Sequence, residues 1–141
     1  MAYDRNNIFA RIVRGEIPCV RVYEDADTLA FMDLMPQSPG HTLIIPKIAG
    51  ENLLDTPVAS VEAAMRTTQR IARAVQTAFD AKGLIVTQFN GRAAGQTVFH
   101  LHFHVIPVYG PGGIELHART LADADQLALH ANKIRAALNA D

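Results

Sequence analysis

The chain has 141 residues, a formal net charge of -1 and 49% hydrophobic residues, the size and balance of one ordinary globular domain with its own core. That charge leaves no basic field to draw in nucleic acid or an anionic membrane, and no apolar run reaches the ~18 residues of a membrane span. Polar Met1 to Asn7 lacks the apolar stretch of a signal peptide, and a single cysteine, Cys19, excludes an internal disulfide; together these point to a cytoplasmic protein.

Ile8, Phe9, Ile12 and Val13 share one side of a short helix predicted over Asn7 to Arg14, with Gly15 as its stop. Strands are predicted at Val20 to Glu24 and Thr28 to Asp33 around an Asp25-Ala26-Asp27 turn. Pro36, Pro39 and Gly40 break the chain, and His41 to Pro46 reads as a buried strand. Thr56-Pro57 opens the clearest helix. Its expected face is Val58, Val61, Met65, Ala72, Val75 and Phe79, and Gly83 is its expected end. Leu84 to Phe89 reads as a strand, Asn90 to Gly95 as a loop, Val98 to Val108 as a long strand and Gly110 to Gly113 as a flexible loop. A last helix, about Ala122 to Asn139, places Leu127, Ala131, Ile134 and Leu138 on its apolar side. Only one helix stands between strands as a crossover. The expected fold is therefore α+β in a single domain, residues 1–141, with a mostly antiparallel five-stranded sheet.

The segment richest in chemistry is Phe99-His100-Leu101-His102-Phe103-His104-Val105-Ile106-Pro107. Side chains alternate along a strand, so His100, His102 and His104 share one face while Leu101, Phe103 and Val105 anchor the other. Imidazole has an ordinary pKa near neutrality; a neutral ring attacks phosphorus and a charged one protonates a leaving group. Like charges in a row oppose one another, so mixed protonation states are expected. A half-exposed strand that is histidine by chance would be the plainer reading, and a zinc site on His-x-His is another. Strict period two in three of the chain's six histidines argues for catalysis.

Gly95-Gln96-Thr97-Val98-Phe99 followed by the histidine row resembles the signature of the histidine triad (HIT) family. Ile8 through Pro18, Ala30-Phe31-Met32-Asp33 and Gly40-His41-Thr42-Leu43-Ile44-Ile45-Pro46-Lys47 match in the family's order. The likeness covers about residues 7–109 and fades over 110–141. It implies a purine nucleotide hydrolase of the nucleoside phosphoramidase branch, acting through a covalent nucleotidyl-histidine. In that scheme His102 is the nucleophile, His104 contacts the phosphate and assists the leaving group, and His100 and His41 support them. Asn90, Gln96 and Thr97 would hold phosphate oxygens or the leaving group, and Asp33 the ribose hydroxyls. Ile8, Phe9, Ile12, Phe31, Leu34, Leu43 and Val98 would line the base pocket. The resemblance further implies a homodimer that joins strands of two subunits in one sheet, and no cofactor.

The sequence departs from many bacterial relatives where they carry structural zinc ligands: Asn7, Ala10 and Ala49 stand there, so no bound metal is expected. Val108 replaces an arginine common after the Ile-Pro step. Outside the motif, His117 and His130 read as surface residues. Three alternatives remain open at this point. They are a dinucleoside polyphosphate hydrolase of the fragile-histidine-triad type, a non-enzymatic nucleotide-binding module, and a metal-dependent hydrolase.

Overall fold

The computed structural model describes residues 2–111 and 120–140; Gly112 and Gly113 of the expected loop, and His117, lie outside the described residues. The elements are α1 (Ile8–Val13), β1 (Arg21–Glu24), β2 (Thr28–Met32), β3 (Thr42–Pro46), α2 (Val58–Phe79), β4 (Gly83–Thr87), β5 (Phe103–Val108) and α3 (Ala124–Asn139). The strands form one sheet in the order β1-β2-β3-β5-β4, every neighbouring pair antiparallel. The α+β fold expected from the strand spacing is the observed one. No helix among the described residues is long and apolar enough to cross a membrane.

Alternation along β2 and β3 sorts the core into two layers. Ala30, Met32 and Ile44 meet Ile71, Ala74 and Val75 of α2 and Leu127, Ala131, Ile134 and Leu138 of α3. Leu29, Phe31, Leu43 and Ile45 face the other way, onto Phe9 of α1. Both strands are buried on both faces, which is why they read as unbroken apolar runs. Among the described residues, the second face is covered by the short α1, by Cys19 after it and by Val98 before β5, and there the cleft forms.

Helix α1 starts where Asn7 Oδ1 accepts from the Ala10 N–H at 2.9 Å. Helix α2 departs from expectation at both ends and along its face. Thr56 does not cap it; its hydroxyl donates to the Asn52 carbonyl and accepts from the Gly50 N–H, stapling the preceding loop. The buried stripe is Ala64, Thr67, Thr68, Ile71, Ala74 and Val75; of the expected face Val61, Ala72, Val75 and Phe79 pack on the core, while Val58 and Met65 are exposed. The two threonines enter the core because their hydroxyls are satisfied: Thr67 pairs with Thr28 and Thr68 donates to the Ala64 carbonyl, both at 2.8 Å. Asp80, with φ of 50°, ends the helix, and Gly83 instead opens β4.

The long strand expected over Val98 to Val108 begins only at Phe103. The β3–β5 register runs Thr42↔Val105, Leu43↔His104 and Ile44↔Phe103. Continued in the same register, Pro46 would face Leu101, but proline has no N–H to donate. Its carbonyl is taken by the His100 ring at 2.9 Å, and the His100 carbonyl by the His102 ring at 2.7 Å. Imidazole bonds, with the Leu101 N–H on the Gly50 carbonyl, thus replace ladder bonds over residues 100–102. The alternation survives: Leu101 and Phe103 pack on Ala64 of α2, while His100 and His102 turn toward Phe9.

Candidate active site

Three elements deliver the central side chains. His104, on β5, stands opposite both Leu43 and Thr87. His41 leads into β3 two positions before Leu43 and so shares its face. The Asp33 N–H binds the His41 carbonyl at 3.1 Å, which brings Asp33 alongside. Gly40 makes the turn possible: its φ is +96°, and a Cβ there would lie 3.0 Å from the Phe79 ring and 3.1 Å from Pro107. The ring centroids of His102 and His104 are 5.0 Å apart, those of His41 and His104 5.2 Å, and those of Phe9 and His102 5.0 Å.

The partners of each ring fix its tautomer. His102 Nδ1 lies 2.7 Å from the His100 carbonyl, an acceptor, so Nδ1 carries the proton and Nε2 the lone pair. His41 Nδ1 accepts from the Gln37 backbone N–H at 3.0 Å, so its proton is on Nε2, which donates to His104 Nδ1 at 2.9 Å. His104 therefore holds its own proton on Nε2. His100 Nε2 donates to the Pro46 carbonyl, and His100 Nδ1 lies 2.7 Å from the Tyr3 hydroxyl. His102 thus offers a lone pair and His104 an N–H, on rings with centroids 5.0 Å apart.

Burial is the main cause of the pKa shifts. It pulls His41 and His100 down to about 4 and His104 to about 3, and lowers His102 as well. The expectation of mixed protonation is corrected: near neutrality all four rings favour the neutral form, because the low-dielectric cleft offers no cheap place for even one imidazolium. Burial also raises the Asp33 carboxyl, opposed by the Met35 N–H on its Oδ1. Asp33 Oδ2 sits 3.5 Å from His41 Nε2, a polar contact with a neutral ring rather than an ion pair.

Beside these groups lies a cleft of about 350 Å³ whose walls include Ile8, Phe9, Ile12, Phe31, Leu34, Leu43, Thr97, Val98, Asp33, His102 and His104. Its size suits a small ligand, and its apolar walls with a few converging polar groups suit a flat ring joined to a polar tail. A larger hollow, about 650 Å³, opens elsewhere among Arg21, Glu24, Lys47 and Arg135. There Glu24 already pairs with both Lys47 and Arg21, so it is a solvated ion network, and the chemistry favours the histidine cleft.

The HIT domain profile matches residues 14–110. A crystal structure of a Hit-like protein involved in cell-cycle regulation from Bartonella henselae, with unknown ligand, superposes with a TM-score of 0.90 at 51% identity. It covers 96% of this chain and 99% of that one. Among curated proteins, adenosine 5'-monophosphoramidase hnt1 of Schizosaccharomyces pombe is 39% identical over 100 residues, 71% of this chain and 72% of its own length. Adenylylsulfatase HINT3 of Arabidopsis thaliana is 43% identical over 102 residues, 71% of this chain and 51% of its own length. The chain belongs to the HIT family.

Of the residues expected to serve a HIT site, the cleft gathers His102, His104, Asp33, Thr97 and all seven apolar positions. His41 and His100 stand behind the front rings, each joined to one by a hydrogen bond. Gln96 and Asn90 are not brought to the cleft. The Gln96 amide donates to the Glu51 and Val98 carbonyls and accepts from Asn52 and the Gly91 N–H, so its side chain is spent on holding the loop. Asn90 is tied to Gln88 and the Leu53 N–H.

His130, expected at the surface, is half-buried with its ring edge against Phe79, 5.1 Å between centroids.

The zinc site of other HIT proteins does not fit these residues. Asn7 is committed to its cap, Ala10 and Ala49 have no donor atom, and Tyr3 occupies His100 Nδ1. Asp33, His41 and His104 do bring ligand atoms within 4.8 Å of one another. The Gln37 N–H, however, holds His41 with its proton on Nε2, the atom a metal would need bare.

Sequence reasoning missed Tyr3, Cys19, Met35 and Leu121. Leu121 reaches the cleft rim because the Ala122 N–H binds the Leu34 carbonyl at 2.9 Å, a contact across the chain that no local pattern signals.

Proposed function

We propose that this HIT domain hydrolyses purine nucleoside phosphoramidates and related nucleotides at the α-phosphorus through a nucleotidyl-His102 intermediate. The observation that carries the proposal is the lone-pair-bearing Nε2 of His102, on a ring whose centroid is 5.0 Å from that of the Nε2-protonated His104, both in the lining of an apolar cleft. The names of the fission-yeast and Arabidopsis relatives support the same class of substrate.

The base lies between the apolar walls and Asp33 accepts from the ribose hydroxyls. His102 Nε2 attacks phosphorus and the bond to the leaving nitrogen or oxygen breaks, its electron pair going to that atom. The positive charge gained by the ring is spread toward the His100 carbonyl through Nδ1–H. His104 Nε2–H hydrogen-bonds the leaving atom, which takes a proton from solvent. Water then attacks the phosphorus, His102 regains its lone pair, and the proton released by water balances the one taken earlier. Loss of the His102 ring is expected to lower turnover of an adenosine phosphoramidate by about three orders of magnitude or more, with folding retained. Near-normal turnover by a folded His102→Ala protein contradicts the proposal.

The homodimer belongs to this proposal too. β1 and β4 are the sheet's edges and Val86 on β4 is exposed, leaving an edge for a second copy to extend. Light scattering on the purified protein is expected to give twice the chain mass; a monomer at micromolar concentration contradicts it.

A further inference from the structure

The N-terminal segment before α1 plays no part in the scheme above, yet it sends one side chain to the back of the triad. The Tyr3 hydroxyl lies 2.7 Å from His100 Nδ1, with the two ring centroids 5.8 Å apart. His100 Nε2 is committed as donor to the Pro46 carbonyl, so Nδ1 has only a lone pair and the hydroxyl is the donor. Tyr3 is half-buried and its hydroxyl is raised above the ordinary tyrosine range chiefly by burial, with Asp4, Arg5, Arg14 and Asn7 around it. Burial therefore favours its protonated, donating form.

His100 is held from three directions: Tyr3 on Nδ1, Pro46 on Nε2, and His102 on its main-chain carbonyl. The last bond gives His102 its tautomer and ring orientation. Residues 100–102 have no strand ladder to fix them, as β5 starts at Phe103. Their place is fixed by the Leu101 N–H on the Gly50 carbonyl at 3.1 Å and by side-chain bonds, of which Tyr3 supplies one from nearly a hundred residues away.

We infer that Tyr3 is a positioning residue for the reaction: its hydroxyl locks the His100 tautomer and, through the His100 carbonyl, aims the lone pair of His102. The inference rests on the reading of His102 as nucleophile. It differs from a packing role, because the Tyr3 ring could hold the segment without its oxygen.

The test is the ring ¹⁵N spectrum of the full chain with labelled histidines, together with steady-state kinetics of Tyr3→Phe on an adenosine phosphoramidate. In the unmodified protein the His100 signals are expected to show a protonated Nε2 and a hydrogen-bonded, unprotonated Nδ1. In Y3F the Nδ1 signal moves to that of an unbonded nitrogen, kcat falls about fivefold and KM stays within about twofold. A protonated Nδ1 on His100 in the unmodified protein overturns the inference without any variant. So does an unchanged kcat in Y3F, or a lowered kcat with the His100 signals unmoved. Loss of the parent reading is separate: it shows as turnover by His102→Ala, which Y3F does not bear on.

Discussion

A histidine is an ambiguous residue until its second nitrogen is accounted for. In this cleft every second nitrogen is accounted for by a main-chain group, a tyrosine or another histidine, and the chemistry follows from those partners. His102 offers a lone pair because its proton is held elsewhere, and His104 offers a proton because His41 fills its other side. Asp33 has a different task. Its Oδ1 is engaged by Met35, and its Oδ2 faces His41 at 3.5 Å within the cleft wall. If it binds ribose hydroxyls, Asp33→Asn weakens binding and spares chemistry. KM for an adenosine phosphoramidate is expected to rise about tenfold with kcat within about threefold. A collapse of kcat at unchanged KM would place Asp33 in the chemical step instead.

At the scale of elements, the site is built where regular structure stops. His41 stands just before β3, His100 and His102 just before β5, and Gly40 makes the turn that seats His41. Replacing Gly40 by alanine forces a Cβ onto Phe79 and Pro107 and strains a backbone at φ +96°. The expected cost is roughly 1–3 kcal/mol in a urea unfolding curve. An unchanged midpoint would mean that the turn relaxes freely. These same places decide how far the sequence was legible. The burial of β3 and the stripe of α3 could be read from composition and period alone. The paired threonines of α2 could not, since Thr67 and Thr68 look polar until Thr28 and the Ala64 carbonyl are opposite them. Alternation put the triad on one side correctly even though its first half is no strand. Gln96 was assigned to the ligand by its place in the motif, whereas the loop uses all of its hydrogen-bonding capacity. Tyr3 carried no periodic signal at all.

For the molecule as a whole, a cluster of buried neutral histidines sets the response to acid. His41 and His100 sit at about 4 and His104 at about 3, against 6.5 for the exposed ring. A depressed folded-state pKa contributes stability above pH 6.5 that is lost as pH falls toward 4, because the unfolded chain takes up protons first. Each ring costs up to about 1.4 kcal/mol per pH unit in that window. Asp33, raised by burial, acts in the opposite sense and recovers a little stability as acid neutralises it. Urea midpoints are expected to drop clearly between pH 7 and pH 5; a flat profile would mean that the rings are open to solvent.

In the proposed reaction one nitrogen, His102 Nε2, forms a bond to phosphorus. Brief exposure to an adenosine phosphoramidate, an acid quench and intact-mass measurement address it directly. The expected result is a protein heavier by one adenylyl group, with peptide mapping placing that group on His102 alone. Turnover with no adduct at any quench time, or an adduct on His104 or another residue, would contradict it.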